Sequence, residues 1–144
     1  MQSSPILFDS RTKSGRHGGG HVGQNEAASD GARTIEQIIA YMKEHVNQPL
    51  QVARLAQAAH TSPSHFFVLF KRWTGFSPID YFIHLRMRAA CRLLAATPMS
   101  VKEIAADLGY EDPFYFSRVF KLVQGMAPSD YRQAMEYANS RGGE

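Results

Sequence analysis

Residues 62–81 (SPSHFFVLFKRWTGFSPIDY) and residues 112–131 (DPFYFSRVFKLVQGMAPSDY) are two versions of one segment. At an offset of 50 they agree at 8 of 20 positions, where average residue usage gives roughly one match by chance. The shared positions are Pro63/Pro113, Phe66/Phe116, Phe70/Phe120, Lys71/Lys121, Gly75/Gly125, Pro78/Pro128, Asp80/Asp130 and Tyr81/Tyr131. Most of them shape a helix or end one. Upstream, Leu55-Ala56 answers to Ile104-Ala105 at an offset of 49, so the second copy carries one extra residue in its turn. A repeat of this kind is a supersecondary unit used twice.

The hydrophobic pattern says what the unit is. From Thr34 onward the period is helical. Ile35, Ile38, Ile39, Met42 and Val46 form one stripe behind a possible capping box, Thr34-Ile35-Glu36-Gln37. Asn47 and Pro49 end that helix. A short helix follows over about 51–59, with Val52, Leu55, Ala56 and Ala59 inward. Ser62-Pro63 starts a third helix, which reaches about Trp73 before Gly75. Ser77-Pro78 opens a long helix to about Ala96. Ser100 to Glu103 is a second capping box, opening a short helix that ends near Leu108-Gly109. Asp112-Pro113 opens the next helix, which stops near Val123 before Gly125, and a last helix begins at Ala127-Pro128. No stretch alternates with the period of a strand. The expected fold is all-α, with about seven helices.

Residues 1–32 lack this rhythm. They are rich in glycine, serine and scattered charge, and read as a disordered tail or linker. Residues 33–134 make the domain, and residues 135–144 read as a C-terminal tail. Net charge is +3 and the pI is about 9.2, a mild excess that fits a polyanionic partner. The lone Cys91 excludes an internal disulfide and reads as a buried small hydrophobe. No membrane span or signal peptide is seen, so a cytoplasmic setting is the default. His17 and His21 lack the further ligands of a metal site. His45, His60, His65 and His84 are dispersed, and there is no glycine-rich phosphate loop or nucleophile–histidine–acid arrangement. No enzyme, cofactor or metal is expected.

Each copy is therefore a short helix, a tight turn and a capped second helix, which is the helix-turn-helix motif. The first spans about 51–74, the linker helix about 78–96 and the second about 100–123. The linker covers roughly 28 Å at about 1.5 Å per residue. Successive major grooves on one face of DNA lie about 34 Å apart, compatible with an oblique linker.

The motifs carry a family resemblance. In the first copy they are Ser62-Pro63-Ser64-His65-Phe66, Phe70-Lys71 and Thr74 to Pro78. Leu85-Arg86-Met87 and Leu93-Leu94 follow in the linker. The second copy has Ser100-Val101, Glu103-Ile104-Ala105, Leu108-Gly109-Tyr110 and the run Asp112 to Lys121, closed by Gly125, Ala127-Pro128 and Tyr131-Arg132. Over about residues 34–134 the chain resembles the DNA-binding domain of AraC/XylS-type bacterial transcription regulators. The resemblance implies two helix-turn-helix subdomains that place recognition helices in adjacent major grooves of an asymmetric double-stranded site, in the bacterial nucleoid. RNA polymerase would be a further partner of an activator. It implies a monomer, with dimers possible through a separate effector domain. Residues 1–32 are too short and polar to be that domain, leaving a stand-alone short member or the DNA-binding part of a larger regulator.

Helical rhythm turns Phe66, Leu69, Phe70 and Trp73 inward in the first copy, and Phe116, Val119 and Phe120 in the second. The outward candidates for base contact are Ser64, Phe67 and Val68, and Phe114, Tyr115 and Arg118. Arginine–guanine is the commonest specific pair, and the family position matching Arg118 commonly points into the groove. A phosphate clamp or surface ion pair is the alternative for that side chain. Lys71, Arg72 and Lys121, at the helix ends, and Arg86 on the linker are the candidates for phosphate. Phe67 and Val68 stand where the family usually carries polar or basic residues. Their roles are contact with thymine methyls, partial burial or a partner protein. The rival reading of the whole chain is a helical protein-interaction module with weak or lost DNA specificity.

Overall fold

Four helices begin on a proline: Pro63, Pro78, Pro113 and Pro128. Proline has no N–H to lose there and its fixed φ suits a first turn. The structure is a computed structural model and describes residues 22–142. Among these residues it contains seven helices. They are α1 (Val22–Glu44), α2 (Val52–Ala58), α3 (Pro63–Thr74), α4 (Pro78–Ala96), α5 (Val101–Asp107), α6 (Pro113–Gln124) and α7 (Pro128–Gly142).

The described chain forms two compact units. One holds α1, α2, α3 and the start of α4 to Ile83. The other holds Val46–Pro49 and everything from His84 onward. In the first unit, Ile35, Ile38, Ile39 and Met42 of α1 are buried, with Leu55, Ala56, Phe66, Phe70 and Phe82. In the second, Leu85, Met87, Ala90 and Leu94 are buried, with Ile104, Ala105, Leu108, Phe116 and Phe120. Each unit repeats one aromatic arrangement. Phe66 lies 5.7 Å from Phe70, which meets Tyr81 edge-on at 5.4 Å. Phe116 lies 6.0 Å from Phe120, which meets Tyr131 edge-on at 5.8 Å. The repeat in sequence is thus a repeat in core packing.

The expected caps form. Ser62 Oγ accepts from the His65 amide at 3.2 Å, and Asp112 Oδ1 from the Phe114 amide at 2.9 Å. Ser100 and Glu103 close a reciprocal capping box at 3.0 and 2.9 Å. Gly75 (φ 85) and Gly125 (φ 89) end α3 and α6, each donating its amide to the carbonyl four residues back. Arg132 ties off α4 by donating to the carbonyls of Leu94 and Thr97, at 3.0 and 3.1 Å.

The turn inside each pair ends the short helix in the same way. The amide of Thr61 reaches Ala56 O at 3.0 Å and that of His60 reaches Gln57 O at 2.9 Å. In the second copy Tyr110 reaches Ala105 O at 2.8 Å and Gly109 reaches Ala106 O at 3.1 Å. This is the Schellman closure, whose pivot residue must be left-handed. The pivots are His60 at φ 58 and Gly109 at φ 90. The extra residue of the second copy falls after this closure and before Asp112, so it lengthens the turn without altering the helix end.

Two boundaries differ from expectation. α1 begins at Val22, not Thr34, so residues 22–32 are not an unstructured tail and Thr34 lies mid-helix. Polarity hid this segment. Ala32 is a strong helix former, and the segment packs against α3 at Gly31. A Cβ on Gly31 would stand 3.1 Å from Trp73 Nε1, so the helix backbone approaches the indole closely. The Asp30–Arg33 pair at 3.3 Å is exposed and adds little. Residues 1–21, including Ile6 to Phe8, His17 and His21, lie outside the described residues. At the other end α7 runs to Gly142, so residues 135–142 are helical. They are largely exposed, and the absence of a buried stripe concealed them.

Cys91 is half-buried. Burial pushes its thiol above the ordinary 9.0, against the pull of the Tyr131 hydrogen bond and of Arg92 and Arg88. Burial likewise raises the phenols of Tyr110 and Tyr131 above 10.0. In each case the folded state holds the proton more tightly than the unfolded one. These contributions are complete below pH 9 and fade as pH climbs through the folded pKa values. The melting temperature, followed by circular dichroism, should therefore decline above about pH 9, and Cys91→Ala should soften the onset of that decline.

A second expectation concerns the pivots. His60→Gly relieves a left-handed side-chain residue and should stabilise the protein by about 0.5–1 kcal/mol. Gly109→Ala should destabilise it by about 1–2 kcal/mol, because the new Cβ would also stand 2.8 Å from Arg86 Nη2. Urea denaturation of both variants gives the comparison.

Candidate nucleic-acid interface

The helix after each turn presents one outward face. On α3, after the opening Pro63, the exposed residues are Ser64, His65, Val68, Lys71 and Arg72. On α6 they are Phe114, Tyr115, Arg118, Lys121 and Leu122. Position by position these sets are equivalent at the offset of 50. Neither helix contains an acidic residue, and each carries two cations. Among the described residues, Lys71, Arg72, Arg118 and Lys121 are not ion-paired. Each face is therefore a small exposed cationic surface with no acidic partner on its charges.

The two faces differ in character. Phe114 is 76% exposed, Tyr115 50% and Leu122 85%, so the face of α6 is apolar around its cations. Arg118 lies with its guanidinium carbon 5.7 Å from the Tyr115 ring centroid, a cation–π contact. The face of α3 offers Val68, 57% exposed, at the position equivalent to Arg118. Both lysines lie in the last turn, where a cation also complements the helix dipole.

Most expected site residues fall on these faces: Ser64, Val68, Lys71 and Arg72 on α3, and Phe114, Tyr115, Arg118 and Lys121 on α6. Phe67 does not. It is half-buried, as is its counterpart Ser117. The face built on Ser64, Val68 and Lys71 follows the i, i+4, i+7 rule, and Phe67 sits at its edge beside the core. Arg86 also lies off these faces. Its Nε donates to Val46 O at 2.7 Å and its Nη2 to Gln48 O at 2.8 Å, and the guanidinium lies 5.3 Å from the Tyr110 ring centroid. It is half-buried, with these contacts made inside its own unit. Arg88 and Arg92 remain exposed on α4.

His65 and Leu122 were missed. The offset of 50 pairs His65 with Tyr115 and Leu122 with Arg72, so the repeat itself held the signal. Among the described residues no group of three or more histidine, cysteine, aspartate or glutamate side chains could hold a metal ion. No helix there is long and apolar enough to cross a membrane.

Residues 55–134 match the family described as a helix-turn-helix domain. The MmsAB operon regulatory protein of Pseudomonas aeruginosa is 40% identical over 104 residues, which is 72% of this chain and 34% of that protein. The arabinose operon regulatory protein of Escherichia coli is 31% identical over 103 residues, 71% of this chain and 35% of that protein. The chain thus spans about a third of the length of these relatives. Among solved structures, the DNA-binding domain of AdpA in complex with a target DNA aligns with a TM-score of 0.68 and 30% identity, covering 73% of this chain and 95% of that one. The C-terminal domain of AraT, a response regulator from Geobacillus stearothermophilus, aligns with a TM-score of 0.65 and 30% identity, over 70% of this chain and 84% of that one. With the repeated helix-turn-helix fold and the match over both copies, the chain belongs to the AraC-type helix-turn-helix family.

Proposed function

We propose that this chain is a sequence-specific regulator of transcription that binds double-stranded DNA without enzymatic chemistry. In this reading it seats α3 and α6 in adjacent major grooves of an asymmetric site in the bacterial cytoplasm. The observation that carries the reading is the matched pair of acid-free, capped helices with solvent-facing cations. The likeness to a DNA-binding domain solved on its target supports it. Arg118 reads a guanine, while Lys71, Arg72 and Lys121 hold phosphates. Two unlike faces on one chain need no second copy, so the chain binds as a monomer. RNA polymerase is the natural further partner if the chain activates.

Salt titration on a preferred duplex and on random DNA tests the assignment. Lys71→Ala and Lys121→Ala should weaken both duplexes about equally, and each should lower the log-affinity versus log-salt slope by about 1. Arg118→Ala should cost about 1–3 kcal/mol on the preferred duplex and relax the preference at one base pair. Salt-independent or undetectable binding to any duplex would favour a protein-interaction module instead.

Phe67→Ala should behave differently. Its half-buried ring supports α3, so the variant should melt earlier and lose affinity for all sequences alike. Loss confined to duplexes with thymine at one position would return Phe67 to the groove face.

A further inference from the structure

Four side chains of the second unit form a continuous series of ring and cation contacts that ends on the proposed reading residue. Arg86, fixed by its two carbonyls, lies 5.3 Å from the Tyr110 ring centroid. Tyr110 lies 6.1 Å from Tyr115, tilted at 44°. Tyr115 in turn carries Arg118 at 5.7 Å. Tyr110 is also held from below, 5.4 Å from the fully buried Phe116. The series is cation, ring, ring, cation, with the two rings enclosed between the arginines. It runs from a half-buried anchor, through the turn, to an exposed cation on the outward face of α6.

The first copy has no such series. The positions equivalent to Tyr110, Tyr115 and Arg118 are Thr61, His65 and Val68. The series is therefore not a requirement of the helix-turn-helix itself. The first copy makes the same turn with the same amide closures and without it. Gly109 is shaped to permit the series. Its missing Cβ leaves the space that the Arg86 guanidinium occupies.

We infer that Tyr110, backed by Arg86, is a positioning residue for sequence reading: it holds Tyr115 so that Arg118 is presented to the groove in one orientation. An exposed arginine samples many rotamers, and ordering it on binding opposes affinity. A ring already beneath the guanidinium removes part of that cost, and a bidentate contact to guanine rewards the fixed orientation. Tyr110 lies in the turn and not on the outward face, so its effect on sequence preference passes through Tyr115 and Arg118.

This inference rests on the reading of Arg118 as a base-contacting residue, and the test separates the two. The full chain and its variants are titrated against a selected duplex, against the same duplex altered at the Arg118-dependent pair, and against random DNA, with thermal melts of each. Tyr110→Phe keeps the ring and should keep the preference. Tyr110→Leu should lower the discrimination at that pair about three- to tenfold while affinity for random DNA is retained. In an Arg118→Ala background Tyr110→Leu should change discrimination no further, the non-additivity of residues acting through one another. Equal loss on all three duplexes, or unchanged discrimination in a folded Tyr110→Leu, overturns the inference. Where Tyr110→Leu does not fold, Tyr115→Leu, on the exposed face, is put through the same cycle and judged by the same coupling to Arg118. If Arg118→Ala itself leaves discrimination intact, the reading of Arg118 fails and the inference falls with it.

Discussion

The left-handed residue between the two helices of each pair governs the rest of the structure. Helices of seven residues, such as α2 and α5, do not persist alone in water. They persist here because the last turn closes on itself through the amides of His60 and Thr61, or Gly109 and Tyr110. The reversal sends the chain directly into the capped start of α3 or α6. The direction taken there decides which residues of the longer helix face the core phenylalanines and which face water. Every statement about an outward face inherits its geometry from those pivots.

Much of this was legible in the residue order. Glycine, proline and the capping serines and aspartate marked nearly every helix end between Asn47 and Pro128, because each satisfies a specific backbone demand. The phenylalanines at matching positions gave the core of both units. What could not be read was whatever depended on packing rather than on local chemistry. Residues 22–32 look polar, yet α1 continues through them, with Gly31 closely backed by Trp73. Residues 135–142 form helix without a buried stripe. Neither signal exists in a hydrophobic pattern.

The candidate site shows the same division. Helical spacing placed Arg118 and both lysines on outward faces, and Val68 proves to be exposed there too. Phe67 lies one residue from that face, where spacing alone does not separate an edge position from an exposed one. The contacts of Arg86 were hidden for a different reason. A linker arginine in a basic protein looks like a phosphate contact, and nothing local reveals that carbonyls some 40 residues away in sequence accept its hydrogens. A long-range hydrogen bond leaves no periodic trace.

The apolar dressing of α6 carries a consequence of its own. Phe114 and Leu122 are the two most exposed large hydrophobic side chains described. Water held against them is released by whatever covers that face. Binding driven by phosphate contact alone is chiefly a matter of counterions. A duplex that also covers Phe114 and Tyr115 would bind with a distinctly negative heat-capacity change. Its affinity would then respond to temperature along a curve, in addition to its response to salt.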